Sequence, residues 1–238
     1  MAEQNNRPPM TPNALDVMST WMFAPPVHEG SKRPNLRVKV VGNVPRIVVK
    51  TNVEGDKNNG RIDFNTDTPT FSTMLTALSK LVRGEIDKAS FDYNDDFVAG
   101  KKLDKKITVA TLKIGRAKED GRIFMAVTGY ERPKIQFFFG PSQYHNVKVN
   151  GEELSPKEIS EYYAESFIRW AGEMVMNLLV SDFNPDGKNV AKPPHMQNQG
   201  QGGNGGGYNN RGGGGGYNNN RNSGGGGNAE VEPFDDFD

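Results

Sequence analysis

The sequence predicts a mainly-β, α+β domain: an antiparallel barrel with one inserted helix and a long helix at its C-terminal end. Three observations carry this. From Leu36 onward, apolar residues recur at every second position, the period of a half-buried strand. A first helical run opens at Thr68-Pro69, between two groups of such strands. A second opens at Ser155-Pro156-Lys157-Glu158, keeps an apolar face for about seven turns, and ends the domain.

Taken in order, residues 1–34 are rich in Pro, Asn and Met and read as a flexible N-terminal arm. Its one apolar knot, Trp21-Met22-Phe23, offers a point of docking onto the domain. Leu36, Val38 and Val40 then alternate with Arg37 and Lys39, Asn43-Val44-Pro45 turns, and Ile47, Val49 and Thr51 alternate with Arg46, Val48 and Lys50. That pattern makes a hairpin with one apolar face and one basic face. Asn58-Asn59-Gly60 marks another turn before a short strand over 61–66, with Ile62 and Phe64 inward. In the helix that follows, Thr68 is the expected cap and Pro69 the first helical residue. Phe71, Met74, Leu75, Leu78, Leu81 and Val82 share one face, and Gly84 is the stop.

Strands resume over 88–94, and a charged loop over 95–105 carries Lys101, Lys102 and Lys105. The next strand, Ile107 to Arg116, is long, and its apolar phase slips between Val109 and Leu112 as a bulge would make it. Lys118-Glu119-Asp120-Gly121 turns the chain into strands over 122–130 and 134–139, with a short one expected over 146–149. In the final helix Ile159, Tyr162, Tyr163, Phe167, Trp170, Ala171, Met174, Leu178 and Leu179 form a stripe suited to lie across a sheet. Asn184-Pro185-Asp186-Gly187 ends it. One domain is therefore expected over 35–183, then a disordered Gly/Asn-rich linker over 184–227 and an acidic tip over 228–238.

Composition narrows the function. The chain has no cysteine, which excludes a disulfide scaffold, a thiol nucleophile and a cysteine-ligated zinc site. His28, His145 and His195 are far apart and sit in polar stretches. No signal peptide or long apolar span is evident, so a cytoplasmic protein without a membrane partner is expected. The formal net charge is zero, but five acids fall within the last nine residues. Without them, and with Arg211 and Arg221 assigned to the linker, 27 basic and 24 acidic residues remain before Gly200. A mildly basic body thus carries a strongly acidic tip.

Catalytic chemistry is poorly supplied. Asp92, Asp95, Asp96 and Asp104 could gather a divalent ion in a nuclease, but their spacing fits no calcium loop, and no nucleophile elbow is present. A non-enzyme without a cofactor is expected. Binding chemistry is better supplied. Along 122–130, Ile123, Met125 and Val127 form one face, while Arg122, Phe124, Thr128 and Tyr130 form the other. The next strand sets Lys134, Gln136 and Phe138 opposite Ile135, Phe137 and Phe139. Cations that meet phosphate beside flat rings that stack unpaired bases are what a single-stranded nucleic acid needs. Arg37, Lys39, Arg46 and Lys50 of the first hairpin, the three lysines of the 95–105 segment, Arg116 and Arg132 extend the candidate set. The competing arrangement buries Phe124, Tyr130 and Phe138 beneath the final helix.

With a basic, aromatic-bearing β-domain, a glycine-rich linker and the tip Glu-Val-Glu-Pro-Phe-Asp-Asp-Phe-Asp, the chain resembles the single-stranded DNA-binding proteins of bacteria and their phages, the phage replication proteins most of all. The resemblance implies a protein that coats unpaired DNA with little sequence preference in replication, recombination and repair. It also implies a tip that recruits polymerase, helicase or primase and competes with DNA for the binding groove. That tip role falls on Glu230, Glu232, Pro233, Phe234, Asp235, Asp236, Phe237 and Asp238. The bacterial tip ends on Pro-Phe, whereas here Pro233-Phe234 is internal and Asp238 is last. An RNA-binding protein or RNA chaperone and a virion protein are the alternatives, and homo-oligomer formation stays open. The order of elements fits an OB-like barrel. A duplicated four-strand-plus-helix unit, as in Whirly-type and coactivator-type binders, is the second arrangement.

Overall fold

The computed structural model describes residues 12–98, 101–187 and 189–191. The fold is α+β, but its strands form two open antiparallel meanders where the sequence suggested a closed barrel. The first comprises β1 (Met22–Phe23), β2 (Asn35–Val41), β3 (Val44–Lys50) and β4 (Arg61–Asn65), and is followed by α1 (Thr68–Val82). The second comprises β5 (Lys88–Val98), β6 (Lys101–Arg116), β7 (Ile123–Gly129) and β8 (Phe137–Phe138). A small hairpin, β9 (Lys148–Val149) and β10 (Glu152–Glu153), then leads into α2 (Pro156–Ser181). Four strands and a helix thus occur twice in succession.

Local chemistry accounts for most boundaries. The β2–β3 turn falls on Gly42 and Asn43, both at positive φ, one position earlier than Asn43-Val44-Pro45 suggested. Two consecutive left-handed residues give the turn that matches strand twist, and Gly and Asn tolerate them best. Helix α1 is capped by Asp67, whose carboxylate accepts the Thr70 amide at 2.7 Å, so the cap lies one residue before Thr68. Gly84 follows the last turn at φ 74°, as its stop position requires. At α2 the capping box closes in both directions: Ser155 Oγ accepts the Glu158 amide and the Glu158 carboxylate accepts the Ser155 amide.

Two segments depart from expectation. Residues 12–24 are part of the fold: Leu15 is only 1% exposed, and β1 pairs with β2 through Met22↔Leu36 and Phe23↔Asn35. Leu15 and the Trp21-Met22-Phe23 knot supply enough apolar surface to hold a segment that composition marks as an arm. The expected loop over 95–105 is instead a two-stranded ribbon, with β5 and β6 paired out to Val98↔Lys101. Residue Val109 is left without a partner between Ala110↔Tyr93 and Thr108↔Asn94, which is the bulge the apolar phase foretold.

A single core joins both halves. Leu36, Val38, Ile47 and Val49 of the first sheet, Leu112, Ile114, Met125 and Val127 of the second, and Phe71 and Leu78 of α1 meet Ala164, Phe167, Ala171 and Val175 of α2. Among the described residues no helix is long and apolar enough to cross a membrane.

Candidate nucleic-acid interface

Helix α2 settles which face of the second sheet is covered. Ser160 Oγ accepts the buried Ile123 amide at 3.0 Å, and Phe167 meets Phe139 edge-on at 5.4 Å. The helix therefore lies on the side of Ile123, Met125, Phe137 and Phe139. Phe124 and Phe138, one residue out of phase, project from the opposite side and stay half-buried. The arrangement with these two rings beneath the helix does not occur.

On that outer face, register sets Gly115, Phe124 and Phe138 in one row across β6, β7 and β8. The two rings meet edge to face, with centroids 6.2 Å apart. The Arg122 guanidinium stands 4.1 Å from the Phe138 centroid and is braced by Asp120, 2.5 Å from its Nε. Gly115 permits the geometry: a Cβ there would lie 3.1 Å from the Phe124 ring. Rings and a guanidinium plane together are the kind of surface that flat, unpaired bases can stack on.

The next row places Lys113 beside Ala126, with Ser90 on the far strand. Burial and the neighbouring charge of Lys134 push the Lys113 ammonium below its ordinary pKa; Asp92 counters this and Lys88 adds to it. Lys134 and Lys88 thus both bring positive charge to bear on the partly buried Lys113 ammonium. Asp92 accepts a hydrogen bond from Thr111 Oγ1 at 2.7 Å. At the far end of β7, Tyr130 is 72% exposed, with Lys57 5.9 Å from its centroid and paired to Glu131 at 2.6 Å.

The other candidates fall elsewhere. Lys101, Lys102 and Lys105 are exposed on the β5–β6 ribbon. Arg37 and Lys39 lie on the first sheet's outer face, where Asp16 pairs with Lys39 at 2.8 Å and Arg37 at 3.8 Å, and Arg37 stacks 4.6 Å from the Trp21 centroid. Burial works to raise the Asp16 carboxyl, but Lys39, the Asn13 amide and Arg37 hold it below its usual value. Arg46 is half-buried between Lys39 and Asn65, and Lys50 donates to the Asn59 carbonyl.

Two arginines are committed internally. Arg116 donates to the Leu81 and Val82 carbonyls at the end of α1, and pairs with Glu161 of α2 at 2.7 Å. Arg132 Nη2 donates to Asp56 Oδ2 at 2.7 Å, its Nε lies 2.5 Å from Oδ1, and its side chain is 9% exposed against 3% for Asp56. Asp56 also accepts from the fully buried Thr51 hydroxyl at 2.5 Å. Burial works to raise the Asp56 carboxyl, but Arg132 and Thr51 hold it below the ordinary value.

Sequence reasoning passed over Lys88, Lys113 and Gly115. The signal for Lys113 was present: once the phase is restarted after Val109, it alternates outward between Leu112 and Ile114. No comparable signal marked Gly115, whose neighbour across the strand emerges only from register. The tip residues Glu230, Glu232, Pro233, Phe234, Asp235, Asp236, Phe237 and Asp238, most of the linker and His195 lie outside the described residues. Among the described residues, no three histidine or carboxylate side chains gather as a metal site. No family model, no curated protein and no solved structure matches the chain.

Proposed function

We propose that this chain is a non-catalytic single-stranded DNA-binding protein that coats unpaired DNA with little sequence preference during replication, recombination and repair. The observation that carries the reading is the outer face of the second sheet: Phe124, Phe138 and Arg122 form a stacking cluster beside Lys113 and Lys134, on the side α2 leaves open. Rings supply contacts that every base can make, and lysines supply contacts that every phosphate can make. Neither reads sequence.

The fold supports the same reading. Two open four-stranded meanders, each followed by a helix, favour the duplicated Whirly-type or coactivator-type arrangement over an OB-like barrel. The tip over 228–238 recruits polymerase, helicase or primase and, through its five acids, competes with DNA for the lysines.

The test is fluorescence anisotropy with labelled dT20, a duplex of equal length and an RNA of equal sequence, at several salt concentrations. Tight binding to dT20, with the duplex at least tenfold weaker, is expected. Equal affinity for duplex, or none for dT20, overturns the reading. Preference for RNA over DNA would move the assignment to an RNA-binding protein using the same face.

A further inference from the structure

We infer that the bound strand runs lengthwise along β7, from the Phe124–Phe138 cluster to Tyr130, with its sugar–phosphate backbone passing between Lys113 and Lys134. The inference rests on the functional reading above and adds the path and the minimum length of strand.

The outward positions of β7 are Phe124, Ala126 and Thr128, and Tyr130 follows in the turn that ends the strand: a ring, two short side chains, then an exposed ring. The middle pair is short, and Ala126 is only 3% exposed, so the rings at the two ends are what the row offers to a base. Each end carries a ring with a cation over it, Arg122 at Phe138 and Lys57 at Tyr130. Register places Lys113 of β6 beside Ala126, and Lys134 precedes β8 on the other side of β7, so the two lysines come from opposite sides of that strand. The charge of Lys134 acts on the Lys113 ammonium, in accord with this placement.

A path across the strands is less well supplied. It would leave Tyr130 without a role and would run from the Phe124 row over Gly115 to Lys88 on the edge strand β5, where the next outward residue is Ser90. A lengthwise path meets a ring, two lysines and a second ring in turn.

Six residues at a strand's rise separate Phe124 from Tyr130 by about 20 Å. That span holds about six nucleotides at a stacked spacing of about 3.4 Å per nucleotide. A strand of two nucleotides reaches one end only, whereas a strand of twelve reaches both.

The experiment uses the full chain and measures dT2, dT6 and dT12 as competitors against labelled dT20. Three variants are compared with the unmodified chain: Tyr130→Ala, Tyr130→Phe and Phe124→Ala. The expected result is that Tyr130→Ala weakens dT12 by about 5- to 150-fold, the range for one stacked base, and changes dT2 less than twofold. Tyr130→Phe keeps the dT12 affinity, and Phe124→Ala weakens every length. Equal losses for Tyr130→Ala at dT2 and dT12, or no loss at either, overturn the path. Unmodified protein that fails to bind dT20 overturns the functional reading instead, and thermal melts of each variant identify any loss that reflects unfolding.

Discussion

Replacing Arg132 by methionine separates an arginine that binds DNA from one that holds the fold. Methionine keeps an apolar stem and removes the guanidinium. Asp56, only 3% exposed, then retains the Thr51 hydroxyl but loses its ion pair. Leaving one member of a buried pair without its partner costs about 3–5 kcal/mol, which for a domain of this size lowers Tm by about 6–20 °C. The assay is thermal unfolding followed by circular dichroism at neutral pH, with dT20 affinity measured well below the transition. Because the guanidinium faces Asp56 rather than the outer face of the second sheet, the affinity of the folded variant should change less than twofold. Acid provides a second check on the sign. Asp56 is held below its ordinary pKa in the folded state, so the pair stabilises above about 3.8 and its contribution is lost as pH falls through the lowered folded value. The gap between unmodified and variant protein should therefore narrow on acidification. A Tm change under about 2 °C, or an affinity loss above tenfold in folded protein, refutes this reasoning.

Further outcomes follow from the same geometry. Changing Phe124 and Phe138 together to alanine should cost about 2–6 kcal/mol of dT20 binding if each ring stacks a base, and normal affinity in a folded variant would remove these rings from the interface. Arg116→Ala should lower stability by about 1.5–3 kcal/mol in denaturant titrations, because two α1 carbonyls and Glu161 lose a charged donor; dT20 affinity should not move. Deleting residues 229–238 should tighten dT20 binding at low salt and abolish partner recruitment in pull-downs. Unchanged or weaker affinity would end the competition idea.

The elements with strong local signals were legible in the sequence: the first hairpin, the capping box at Ser155, the Gly84 stop, the slip at Val109 and the outward phase of Phe124 and Phe138. Each is decided by residues within a few positions of one another. What the sequence concealed depends on distance along the chain. Arg116 is 35 residues from the carbonyl it caps, and Arg132 is 76 from Asp56. A lone arginine in a basic region carries no mark that a carboxylate waits for it elsewhere. The docking of residues 12–24 was obscured for another reason: a few apolar contacts by Leu15, Met22 and Ala24 outweigh a polar composition. Strand β8, expected over 134–139, pairs only at Phe137–Phe138, because apolar alternation specifies a face and says nothing about how much of a neighbour is available.

The β2–β3 turn carries a consequence for how the chain is made. Asn43 Nδ2 donates to the Asn184 carbonyl at 2.8 Å and its Oδ1 accepts the Asn184 amide at 2.9 Å, a clasp between positions 141 residues apart. The core likewise joins Leu36 and Ile47 to Phe167 and Val175. At about 5–20 residues per second, synthesis takes about 7–28 s to travel from one side of that clasp to the other. For most of that interval the first sheet, complete once Asn65 has been made, has its apolar face without α2. The N-terminal half cannot finish folding as it emerges, and completion waits for the last helix of the domain.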